Sequence, residues 1–204
     1  MFIQRLLSAS LIMNHTSEKR CLLMAEDDNG ATYSFDICSQ CKISCCQDAK
    51  PPLTKKRKKM IKEYLKKQNI NIGQPFAKEN YCYPVVDEHV FCKFFSKDIG
   101  KCCVHPVKPE TCRAGPVTFD INLCTKKVEW YLKKSEICAF AGVLYDNKAA
   151  FKDHFEAAKK ELTCLINELE PEELRAIIRI NEPHTFKIGE EALPSDISRK
   201  LGLK

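Results

Sequence analysis

Glycine is scarce in this chain, seven residues in 204, and those few are scattered. Neither GxGxxG nor GxxxxGK followed by Ser or Thr occurs, so Rossmann and P-loop phosphate cradles are both missing. No stretch reaches the roughly 18 apolar residues that a membrane-spanning helix needs. Histidine is thin too. His15, His89, His105, His154 and His184 form no HxxxH pair, and only one CxxC is present, so the recurring pairs of zinc fingers are lacking. No cysteine stands beside a local histidine and acid, which removes the case for a thiol dyad or triad.

What is abundant is cysteine, with 13 residues. An odd number cannot all pair within one chain, and a chain of this length can build a core without disulfide staples. Metal or cluster ligation in a reducing, cytoplasmic setting is the expectation. The net charge is +6, yet the window 50–67 (KPPLTKKRKKMIKEYLKK) alone carries +8, leaving −2 for the rest. The basic character belongs to one segment, and a general nucleic-acid coat is disfavoured.

The start, MFIQRLLSASLIM, is broken by Ser8, Ser10 and Asn14, so secretion is disfavoured. Residues 1–31 are read as a loosely attached extension, with Met13 and Met24 as alternative starts and Cys21 as an isolated thiol. Tyr33, Phe35 and Ile37 alternate, which predicts a short strand over 32–37 running into the cysteine loop. After Pro51-Pro52, Thr54 caps an expected helix over about 55–68. Met60, Ile61, Tyr64 and Leu65 lie on one side of it, and Lys55, Lys59, Lys62 and Lys66 on the other. Solvation is the simpler reading of that lysine face; the functional one is a docking face for an acidic protein partner, RNA or an anionic lipid surface, the RNA version weakened by the lack of interleaved aromatics.

Residues 71–86 read as irregular. The segments 90–95 and 102–105 flank the turn KDIGK as a hairpin, and 106–116 is a turn-rich loop or one helical turn. The segments 117–121 and 128–132 form a second hairpin. Phe151, Phe155, Ala158, Leu162, Leu165 and Leu169 then mark an amphipathic helix ending near Pro171, followed by a short helix with Leu174, Ile177 and Ile178 inside. The tail after Asn181 reads as an irregular cap. The expected fold class is α+β: a small cysteine-rich metal-binding domain over 32–145, made of loops and short hairpins, closed by C-terminal helices over 146–204.

The candidate metal ligands are Cys38, Cys41, Cys45 and Cys46, spaced CxxCxxxCC, then Cys92, Cys102, Cys112 and Cys138. A CxxC puts two thiolates on one tight turn, within reach of one metal or two irons of one cluster. Eight thiols are twice what one zinc or one 4Fe–4S cluster requires. An all-thiolate inventory with irregular spacing favours an iron–sulfur cluster, with zinc as the alternative. Arg113, beside Cys112, is a candidate to hydrogen-bond a thiolate or cluster sulfide, and a surface salt bridge is its alternative role.

These motifs resemble the zinc- or iron-chelating cysteine-cluster family often called YkgJ-like. Cys92 lies in VFCKFF, Gly100-Lys101-Cys102 supplies a Gly-x-Cys, and Lys108-Pro109-Glu110-Thr111-Cys112-Arg113 supplies the Pro-x-x-Cys-Arg turn that Pro116 closes. Cys138 in SEICAFAG resembles a late cysteine of many members. His105 stands where Tyr is usual, Lys108 where Arg is usual, and Cys103 is extra; the family spacing favours Cys102 over Cys103 as the ligand. The resemblance implies a cluster-binding domain. One relative, a flagellin lysine N-methylase, pairs a similar motif with an iron–sulfur cluster, so a cluster-dependent protein-lysine N-methyltransferase-like enzyme is one alternative. A zinc-stabilised interaction module is the other.

Overall fold

The computed structural model describes residues 37, 38, 45–98, 100–178, 180, 182 and 184–203. The N-terminal extension lies outside them. So does the expected strand over 32–37 except Ile37, which is helical together with Cys38. Among the described residues six helices accompany small antiparallel sheets, an α+β fold.

Helix α1, Lys55–Lys67, starts where expected. Thr54 is extended, and its Oγ1 accepts from Arg57 N at 3.0 Å, satisfying one of the N–H groups left open at a helix start. Ile61 and Leu65 are buried, while Lys55, Lys59, Lys62 and Lys66 are exposed. The stretch 71–86 contains a hairpin that was not expected, β1 (Phe76–Lys78) with β2 (Cys82–Pro84), pairing Phe76 with Pro84. Strands of three residues, one ending in proline, are too short to show alternation in sequence. The next hairpin, β3 (Phe95–Ser96) with β4 (Lys101–Cys102), is shorter than its sequence pattern suggested. Phe91 and Cys92 turn instead to other segments, bridging Gln47 and Val86. Leu53, Ile61, Leu65, Phe76, Phe94 and Val104 fill a first core with Cys82 and Cys92.

The 106–116 segment holds a single 3₁₀ turn, His105–Val107, then helix α2, Glu110–Ala114. Strands β5 (Val117–Asn122) and β6 (Lys127–Lys133) form the second expected hairpin, with Val117 opposite Leu132. Helix α3 (Ala139–Asp146) follows. Asn147 Oδ1 then accepts from Ala150 N at 3.0 Å to start helix α4, Lys148–Glu168. Helix α5, Pro171–Ile177, begins with a capping box between Glu170 and Glu173. The tail corrects the expectation of an irregular cap. Strand β7 (Thr185–Ala192) pairs antiparallel with β6, and helix α6 (Ser195–Lys200) closes the chain. Leu162, Leu165, Leu174, Trp130 and Leu132 lie at the centre of this second core.

A buried charge network joins the two cores. Thr54 Oγ1 donates to Glu110 Oε1 at 2.6 Å, and Arg57 Nε lies 3.6 Å from the same oxygen. Arg57 Nη2 also donates to Glu161 on α4, whose other oxygen is 3.6 Å from Arg113 Nε. Glu110 and Glu161 are both buried. Two guanidinium groups therefore face two carboxylates across α1, α2 and α4, the arrangement that makes buried charge tolerable.

Candidate metal centre

Three short segments bring cysteines together through their backbones. Cys92 N donates to Cys46 O at 2.8 Å, Cys103 N donates to Phe94 O at 2.8 Å, and Cys102 pairs with Phe95 across β3 and β4. The turn before Cys92 is set by Asp87, whose Oδ1 accepts from His89 N at 2.9 Å and Phe91 N at 2.8 Å. Those backbone bonds, the Phe91 one first, hold the Asp87 carboxyl below the usual range. The turn before Cys102 needs Gly100, at φ +61° in the left-handed region that favours glycine. Cys112 comes from α2, whose first residue, Glu110, is tied to Thr54.

The thiols of Cys45, Cys46, Cys92, Cys102, Cys103 and Cys112 share one electrostatic neighbourhood. Cys46 donates to Cys45, which holds the Cys45 thiol down at about 6, with the ammonium groups of Lys133 and Lys108 adding to the effect against burial. Cys46 is correspondingly pushed up by that bond and by burial. Burial pushes Cys92 up to about 11 and Cys102 up to about 12, and raises Cys103. Burial, then Cys45 and Cys102, raise the Cys112 thiol well above the ordinary value, although the residue as a whole is exposed. One thiolate suppresses the others, as like charges must in a shared site. A bound cation would invert that order.

Other groups flank the thiols. Lys108 Nζ lies 3.3 Å from His105 Nε2, and burial, with Lys108 and Arg113, holds the His105 imidazole down to about 4. Neutral His105 then accepts from the Lys108 ammonium. Lys133 is 3.2 Å from Glu182 and sits within the field of both Cys45 and Cys138. Cys138, the residue preceding α3, packs on the second core. Cys38 is exposed, and Cys41 lies outside the described residues. Arg113 directs Nη1 to Pro106 O at 3.2 Å and Nε toward Glu161, so its described contacts are internal and anchor α2. Cys103, set aside on spacing, stands beside Cys92 and Cys102, and its adjacency to Cys102 is the signal that could have included it. Cys164, on α4, is disulfide-bonded.

Among the described residues no three His, Cys, Asp or Glu side chains are set to hold an ion. The donor chemistry is nevertheless selective: six neighbouring sulfurs are soft ligands that suit zinc or iron–sulfur centres rather than magnesium or calcium. No helix among the described residues is long and apolar enough to cross a membrane.

No curated protein and no solved structure matches the chain. A family model does match, over residues 37–164: CxxCxxCC, described as "Putative zinc- or iron-chelating domain". That span takes in the cysteine loop, both cysteine-bearing hairpins and the helix that carries Cys112, and it is more than half of the sequence, so the chain belongs to the CxxCxxCC family of zinc- or iron-chelating domains.

Proposed function

We propose that this metal-binding chain holds an iron–sulfur cluster of the 4Fe–4S type and serves a redox or metal-handling role. Its ligands on this reading are drawn from Cys38, Cys41, Cys45, Cys46, Cys92, Cys102, Cys112 and Cys138. The observation that carries the reading is the grouping of thiols from four segments in one neighbourhood. The thiols come from irregularly spaced segments with no paired histidines, an all-thiolate inventory that favours an iron–sulfur cluster over zinc. A cluster bound here supplies one-electron chemistry. The chain's own residues bind it through sulfur, shield it with Leu53, Phe94 and Val104, and offset its negative charge with Lys108 and Lys133.

The test is elemental and spectroscopic, on protein purified without oxygen. About four iron and four sulfide per chain, with a brown colour that bleaches on reduction, is the expected result. About eight of each would mean two clusters. A colourless protein with zinc would sink the iron–sulfur reading and favour a zinc-stabilised module. Serine replacements of Cys45, Cys92, Cys102 and Cys112, made singly, should each lower metal content. Cys82→Ser, in the β1–β2 hairpin, and Cys124→Ser, on the exposed β5–β6 turn, should not.

A further inference from the structure

Helix α1 carries more charge than the protein uses. Arg57 is consumed by Glu110 and Glu161, Lys55 reaches Glu170 at 2.8 Å, and Lys59 stands 3.9 Å from Glu63. Lys62 and Lys66 have no acidic partner among the described residues. Lys55, Lys59, Lys62 and Lys66 step by four, three and four, so they fall in one stripe about 16 Å long on the exposed side. A different side of the helix, with Ile61 and Leu65, packs into the core that also holds Cys46, Cys92, Cys102 and Cys103. The helix that carries the stripe thus also covers the core against which those cysteines pack.

We propose that this lysine stripe of α1 is the docking face for an acidic protein partner, which it places on the back of the cysteine core. Two features select the partner's class. An anionic membrane normally takes a basic helix through its apolar side, and that side is already buried within the protein. A single-stranded nucleic acid binds basic surfaces interleaved with aromatics for base stacking, and the stripe has none. A row of carboxylates on a protein surface needs only the row of ammonium groups that is present. The inference does not depend on which metal the cysteines hold.

The experiment measures binding of the full chain to a fluorescent poly-glutamate peptide. A single-stranded RNA oligonucleotide and phosphatidylserine vesicles serve as competing probes. Peptide binding that weakens with added salt is expected. Replacing Lys55, Lys59, Lys62 and Lys66 together by Gln should weaken it by about tenfold. Replacing four exposed lysines elsewhere, Lys134, Lys148, Lys152 and Lys160, by Gln should change it by less than about twofold. Arginine at the four stripe positions should restore binding, which separates lost charge from lost folding. The proposal is overturned if the peptide does not bind, if both glutamine variants weaken it equally, or if RNA or vesicles bind the stripe more tightly than the peptide does.

Discussion

Arg57 sits in a run of basic residues that look interchangeable, but the fold treats it differently from its neighbours. Its guanidinium lies between Glu110 and Glu161, and both carboxylates are buried. Arg57→Met keeps the stem and removes the charge, which leaves Glu161 with Arg113 alone and Glu110 with Thr54. Breaking a buried pair from one side costs about 3–5 kcal/mol, and urea unfolding should show a loss of that order. Lys55→Met, on the exposed pair with Glu170, should leave the unfolding midpoint unmoved. Equal effects of the two variants would contradict the assignment. In the sequence Arg57 is one basic residue among the nine of the window 50–67. Its partner Glu161 is 104 residues away, and no local pattern connects them. Arg113 teaches the same lesson: its place beside Cys112 suggested a thiolate partner, but its contacts run to Glu161 and Pro106.

The elements that sequence periodicity found are those with a long, one-sided apolar pattern, α1, α4 and the β5–β6 hairpin. Strand β7 shows no apolar alternation because TFKIGEEA buries little: five of its eight residues are exposed, and three of those are charged. Two ion pairs with β6, and one within the strand itself, help to hold it. Lys187 Nζ is 2.8 Å from Glu129 and 2.5 Å from Glu190, and Lys127 also pairs with Glu190. Hydrogen bonds from Lys127 and Lys187 push the Glu190 carboxyl down to about 2. A carboxyl lowered in the folded state stabilises it above the unfolded carboxyl pKa of about 4.3, and that contribution disappears as pH falls toward about 2. Glu190→Gln should therefore be less stable than the parent at neutral pH, and the gap should close on acidification through that window. Urea titrations of both proteins across the pH range measure it. A gap that stays constant would mean that the strand is held by its backbone pairing with β6 alone.

At the scale of the whole molecule the two cores differ in what supports them. The first has eight buried residues, two of them cysteines, and its strands are two or three residues long. The second has sixteen, with a three-stranded sheet and a 21-residue helix. The expected cysteine-rich part spans 32–145, with helices over 146–204; the buried clusters fall on either side of the stretch from Val107 to Ala114. Hairpin β5–β6 and Cys138 pack on the helical side, a fact of tertiary packing that cysteine spacing does not encode. The first core has little hydrogen-bonded ladder and much sulfur, so metal–thiolate bonds should supply a large share of its stability. Removing the metal, by chelation for zinc or by oxidative cluster loss for iron, should then raise amide exchange in α1 and around β1 to β4. Amides of α4, β5 and β6 should keep their protection. If protection falls evenly across both cores, the Arg57 network makes them one cooperative unit; if it falls nowhere, the metal contributes nothing to folding. Loss confined to the first core would place the structural role of the metal where the cysteines are, and would leave the second core as the scaffold that α2, through Arg113 and Glu161, uses to present Cys112.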